Sequence, residues 1–83
     1  MSIAQEIKNY CEEREIKFVG DYSGRFMYGK KCIGYICEPN EKYNIMAGLA
    51  DYLSKKNIDL SEKKILEDNV ARDRIIYFPY ISL

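Results

Sequence analysis

An arginine set among tyrosines and glycines is the first feature of this chain that could do chemistry. The run Asp21-Tyr22-Ser23-Gly24-Arg25-Phe26-Met27-Tyr28-Gly29 continues into Lys30 and Lys31. Arginine offers a planar donor fork that matches phosphate or carboxylate. Tyrosine offers flat contact area with a polar end. Glycine N–H groups can form an anion-binding nest. Together Asp21, Tyr22, Ser23, Gly24, Arg25, Tyr28, Gly29, Lys30 and Lys31 suit a nucleotide, a nucleic-acid strand or an acidic protein surface. The plainer alternative is a long hairpin tip whose aromatics fold back on the core. A second group, Asp68, Asn69 and Asp73, supplies further carboxylates. With Asp21 they could form a magnesium site or an acid/base pair, provided that they converge. Asp-Asn is equally ordinary turn chemistry.

Other chemistries are closed off. The chain has no histidine, so histidine-based nucleophile systems and histidine metal ligation are impossible. Cys11, Cys32 and Cys37 are odd in number and contain no C-x-x-C pair. We expect no disulfide and no metal site, only small buried apolar thiols. Cys32 and Cys37 should point to opposite faces of one strand. No catalytic residue and no cofactor are assigned.

Both polar runs carry a resemblance. The stretch of Asp21, Tyr22, Ser23, Gly24, Arg25, Met27, Tyr28 and Gly29, with Ile33 and Gly34 after it, resembles a D-Y-S-G-R-G-M-Y/F-G signature. Asp68, Asn69, Asp73, Ile75, Tyr77, Phe78 and Pro79 resemble D-S/N-x-G-x-D-x-I-x-Y-F/W-P. The two signatures belong to a family of short, uncharacterised proteins encoded by phages and prophages. Phe26 and Ala71 stand where that pattern has glycine. The resemblance covers both hairpins but not the first helix. It implies a phage accessory protein in the host cytoplasm that antagonises host defence, for example a CRISPR effector, by stoichiometric binding. Two other readings stay open: a sponge for an immune signalling nucleotide, using Arg25, Lys30, Lys31 and the tyrosines, and a metal-dependent phosphodiesterase built on the aspartates.

These residues need elements to position them. Ser2 and Gln5 read as a capping box, and Ile3, Ile7, Tyr10 and Cys11 recur at helical spacing. A helix over 2–14 follows, with Glu12, Glu13 and Glu15 facing water. Residues 16–22 and 31–37 read as strands joined by the glycine-bearing loop. Gly34 inside the second marks a bulge or a close contact. Asn40 is a candidate cap for a second helix over 41–56, whose apolar face holds Tyr43, Ile45, Met46, Leu49, Ala50, Tyr52 and Leu53. Asn57 suits a left-handed cap with Ile58 packing back. A short strand over 63–67, a polar turn over 68–73 and a strong strand over 74–81 complete the order. Pro79, lacking an N–H, should put the end of that strand at a sheet edge. The class is α+β, order α-β-β-α-β-β, with a four-stranded, mainly antiparallel sheet covered by one or two helices.

Length and charge set the outer limits. Eighty-three residues make one domain, which buries only about 60–65% of its unfolded surface and gains from an added interface. With eight tyrosines, a homo-oligomer, most simply a dimer, is expected. Its contacts are sought at the last strand and the second helix. The 13 basic and 13 acidic side chains balance, which argues against a general nucleic-acid coat. The balance is local: Lys17, Arg25, Lys30 and Lys31 face Asp21 alone between residues 17 and 31. No apolar stretch is long enough to span a bilayer. Met1 to Glu6 lacks the basic-then-apolar pattern of a signal peptide.

Overall fold

The computed structural model describes residues 2–22 and 32–79. Helix α1 spans Ile3–Glu13 and buries Ile7, Tyr10 and Cys11 as their spacing predicts, with Ala4 buried beside them and Ile3 only partly buried. The Ser2 hydroxyl accepts the Gln5 N–H at 3.2 Å. The Gln5 amide donates instead to Asn9 at 3.0 Å, so the capping box is half made. At the other end Glu15 takes a left-handed conformation, φ 57°. The Ile16 N–H then reaches the Cys11 carbonyl at 2.9 Å, which ties off the last turn.

The strands are β1 (Lys17–Tyr22), β2 (Cys32–Cys37), β3 (Leu66–Val70) and β4 (Asp73–Pro79), and helix α2 spans Lys42–Ser54 between β2 and β3. The element order is the one expected, and every strand pair is antiparallel, in the sheet order β1-β2-β4-β3. Asn57 is left-handed, φ 62°, and Ile58 packs back on the core.

Four local expectations are corrected. Asn40 does not cap α2. Residues Pro39–Glu41 form a 3-10 turn that runs into the helix, and Glu41 makes no side-chain capping bond. Tyr43 is 77% exposed, because it lies off the stripe formed by Leu49 and Leu53. The third strand is not 63–67, and Asp68 and Asn69 are not turn residues. Both lie in β3, and the chain reverses at Ala71 and Arg72, between paired Val70 and Asp73. Ala71 has φ 55°, the left-handed geometry that tight hairpins require. Finally, β4 is an inner strand, paired on both sides. Pro79 is tolerated there because the ladder with β3 has already ended, at Leu66 opposite Tyr77.

Both helices pack on one face of the sheet. Their core unites Ile7, Tyr10, Cys11, Leu49 and Leu53 with Ile33, Tyr35, Ile76 and Phe78. The Tyr10 hydroxyl lies so close to Gly48 that a Cβ there would collide with it. Glu6 is buried within this helix pair, and its Oε2 accepts from Lys56 Nζ at 3.2 Å and from the Tyr52 hydroxyl at 3.4 Å. The opposite face has its own core of Cys32, Ile75 and Tyr77, flanked by Tyr22, Ile36 and Leu66. Cys32 and Cys37 therefore do face opposite sides, and all three cysteines are buried thiols outside any disulfide. No helix among the described residues is long and apolar enough to cross a membrane.

Candidate binding face

The face of the sheet opposite α1 and α2 joins the two polar segments that stood out in the sequence. The β1–β2 register slips between Val19 and Tyr22, and Tyr22 lands opposite Cys32. Such a slip adds twist and re-aims side chains. Here it lays the Tyr22 ring against Tyr77 of β4, with ring centroids 5.0 Å apart and planes tilted by 58°. Continuous pairing of β3 with β4 sets Asp68 opposite Ile75. The Tyr22 hydroxyl then donates to Asp68 Oδ2 at 2.8 Å. Asp68 Oδ1 accepts the Asn69 N–H at 3.2 Å. The Cys32 thiol donates to the Tyr22 carbonyl at 2.6 Å.

Gly34 makes this packing possible. A Cβ at Gly34 would strike the Ile76 carbonyl and lie 2.9 Å from the Tyr77 Cα. Close approach of the β4 backbone, rather than a bulge at this residue, is what the glycine provides. Burial pushes the Tyr22 hydroxyl up to about 12, helped by its bond to Asp68 and that residue's charge. Tyr22 is therefore a neutral donor across the physiological range. Burial likewise raises the thiols, Cys11 to about 11 and Cys37 also upward. Both are poor nucleophiles.

Of the candidate residues, Tyr22 and Asp68 are brought together, and Asp21 and Asn69 are their chain neighbours. Asp73 is placed elsewhere. It lines a hollow of about 700 Å³ between the end of α1 and the start of α2, with Arg14, Lys17, Cys37 and Glu38. No three acidic or cysteine side chains among the described residues could hold a metal ion, so the aspartate-based metal arrangement has no geometry there. Ser23, Gly24, Arg25, Tyr28, Gly29, Lys30 and Lys31 lie outside the described residues. In the sequence they fall between Tyr22 and Cys32, which are paired with each other.

Sequence reasoning missed the buried Glu6 and the contact of Tyr22 with Tyr77. Glu6 carried a weak signal, since it stands three residues after Ile3 and four before Tyr10 on the same helix face. The chain matches no family model, no curated protein and no solved structure.

Proposed function

We propose that the chain is a small non-enzymatic binding protein of the phage-encoded kind its motifs resemble, antagonising a bacterial host-defence protein by stoichiometric occupation. The observation that supports this reading is the Tyr22–Asp68 hydrogen bond. It ties the segment leading into Arg25 to the segment that carries the second signature. An aromatic and carboxylate pair, in a sequence that runs on into an arginine and two lysines, has the composition of an interface centre, where tyrosine and arginine contribute most. The reading places the partner at Tyr22, the adjoining loop residues Ser23, Gly24, Arg25, Tyr28, Gly29, Lys30 and Lys31, and the Asp68 rim.

The test is capture of a target from bacterial host lysate, followed by affinity measurement with variants. Arg25→Ala should leave the fold intact and weaken binding by about 2 kcal/mol or more if the contact is fully desolvated. Lys30→Ala should cost less and reduce the salt dependence. A folded Arg25→Ala protein with undiminished binding overturns the site. A nucleotide that raises the melting temperature in a ligand screen, with no protein captured, would replace the reading with the signal sponge.

A further inference from the structure

Among the described residues, the sheet has one uninterrupted open edge. In the order β1-β2-β4-β3 the outer strands are β1 and β3. An outer strand presents a row of N–H and C=O groups ready to pair with another strand. The β1 edge is interrupted by the register slip between Val19 and Tyr22, a feature that blunts edges. The β3 edge is not: its pairing with β4 is continuous from Leu66 to Val70, and Lys63 just before it is already extended. Beside it a groove of about 280 Å³ between β3 and α2 is lined by Tyr43, Met46 and Ile65. Tyr43 and Ile65, at 77% and 37% exposure, are the exposed large hydrophobic side chains among the described residues.

Charge decides the occupant. Lys63 and Lys64 precede the strand, and Glu67 and Asp68 follow within it. We propose that a second copy of this chain adds to the β3 edge, antiparallel and centred on Leu66, to give one continuous sheet across two subunits. A two-fold axis perpendicular to the sheet keeps each face on its own side, so the axis passes through a residue paired with itself. Centred on Leu66, it sets Lys64 opposite the second copy's Asp68, twice, and Leu66 against its equivalent. Centring on Glu67 would oppose two glutamates, and centring on Ile65 would set Glu62 against Asp68, like-charge contacts that oppose pairing; the Ile65 register also sets Lys63 opposite Glu67, but that contact competes with a pairing Glu67 already makes. Glu67 is already engaged by Lys42 at 3.1 Å. In the Leu66 register, Tyr43 and Ile65 of both copies border the seam on the helix-bearing side.

The test reads mass and cross-linking, not target binding, so its failure is separable from failure of the proposed function. Sedimentation of the full chain should show a concentration-dependent dimer. Lys64 is exposed, so Lys64→Glu should fold normally, and its two like-charge contacts with Asp68 should weaken dimerisation by about tenfold or more. Residues directly opposite in an antiparallel pair have Cα atoms about 4.5–5.5 Å apart, within disulfide reach. Leu66→Cys should therefore form a covalent dimer on mild oxidation. Asn69→Cys should not, since it falls opposite Lys63. The native thiols are buried and give little background. A monomer at all concentrations overturns the proposal. So does a dimer that Lys64→Glu leaves intact, or one that cross-links through Asn69→Cys and not Leu66→Cys. Should Leu66→Cys fail to fold, the Lys64→Glu measurement decides alone.

Discussion

Tyr22 is the side chain on which most of the candidate face depends, and its titration offers a direct probe. Burial pushes its hydroxyl up to about 12 in the folded chain, against about 10 for an exposed tyrosine. A group raised in the folded state contributes stability that is complete below its unfolded value and lost as pH climbs through its folded one. The Tyr22 contribution should hold up to about pH 10 and fade towards pH 12. Tyr22→Phe should remove that part of the alkaline loss, and its absorbance titration should lack a tyrosine transition near pH 12. If wild type and Tyr22→Phe lose stability in parallel above pH 10, the Asp68 bond is not made. The Glu6 site differs from an ordinary surface pair. Its side chain is 3% exposed, whereas Lys55 and Asp51, at 74% and 67%, pair in water. Exposed pairs contribute little, but a buried carboxylate stripped of its cation is costly. Lys56→Met should therefore lower the melting temperature at neutral pH, and Lys55→Met should hardly move it. Equal effects would mean that Glu6 does not need Lys56. Neither partnership was legible in the sequence, because Tyr22 and Asp68, like Glu6 and Tyr52, are 46 positions apart. Register and helix crossing, not composition, join them.

Elements were legible where local chemistry and tertiary demand agree. Ile3 to Cys11 and the Leu49–Leu53 face of α2 carry helical periodicity, and the Ile- and Tyr-rich segments of β2 and β4 carry strand preference; all four formed as expected. The third strand failed that test because Leu-Glu-Asp-Asn-Val is poor in β-formers. It is a strand through pairing with β4, with Leu66 in the second core and Asp68 held by Tyr22. Tertiary contacts thus overrode a turn-like dipeptide. The β3–β4 reversal bears the local cost, since Ala71 holds φ 55°. An L-residue there costs roughly 1–2 kcal/mol relative to glycine. Ala71→Gly should stabilise the chain by about 1 kcal/mol after the entropy of the unfolded glycine is counted. A lower midpoint in denaturant for Ala71→Gly would show that the turn is not left-handed. The opposite change is expected at Gly34, where an added methyl collides with the β4 backbone rather than with a movable side chain. Gly34→Ala should cost about 3 kcal/mol, the upper range for overpacking. A near-neutral effect would place β2 further from β4.

For the whole molecule, the sheet carries a packed layer on each face, and the two layers differ in what secures them. The helix-side core is closed by α1 and α2, and Leu49 and Leu53 are fully buried within it. A domain of this length has a total stability of only about 4–12 kcal/mol. Truncating one fully buried leucine costs about 2–5 kcal/mol, because the cavity left behind adds to the lost transfer energy. Leu49→Ala should therefore remove a large share of the margin, lowering the melting temperature by about 10 °C or more given roughly 4–8 °C per kcal/mol at this size. Tyr43 lies on the same helix but is 77% exposed, so Tyr43→Ala, measured at low protein concentration where association is absent, should leave the melt almost unchanged. The pair of variants tests which side of α2 meets the sheet, independently of any partner. If Leu49→Ala melts like wild type while Tyr43→Ala collapses, α2 is rotated and the groove beside β3 does not exist as described. If both are severe even in dilute solution, Tyr43 is covered within one chain, and the edge of β3 is not open to a second copy. A large Leu49 effect with a silent Tyr43 leaves that edge accessible, with the helix-side core as the layer that holds the sheet together.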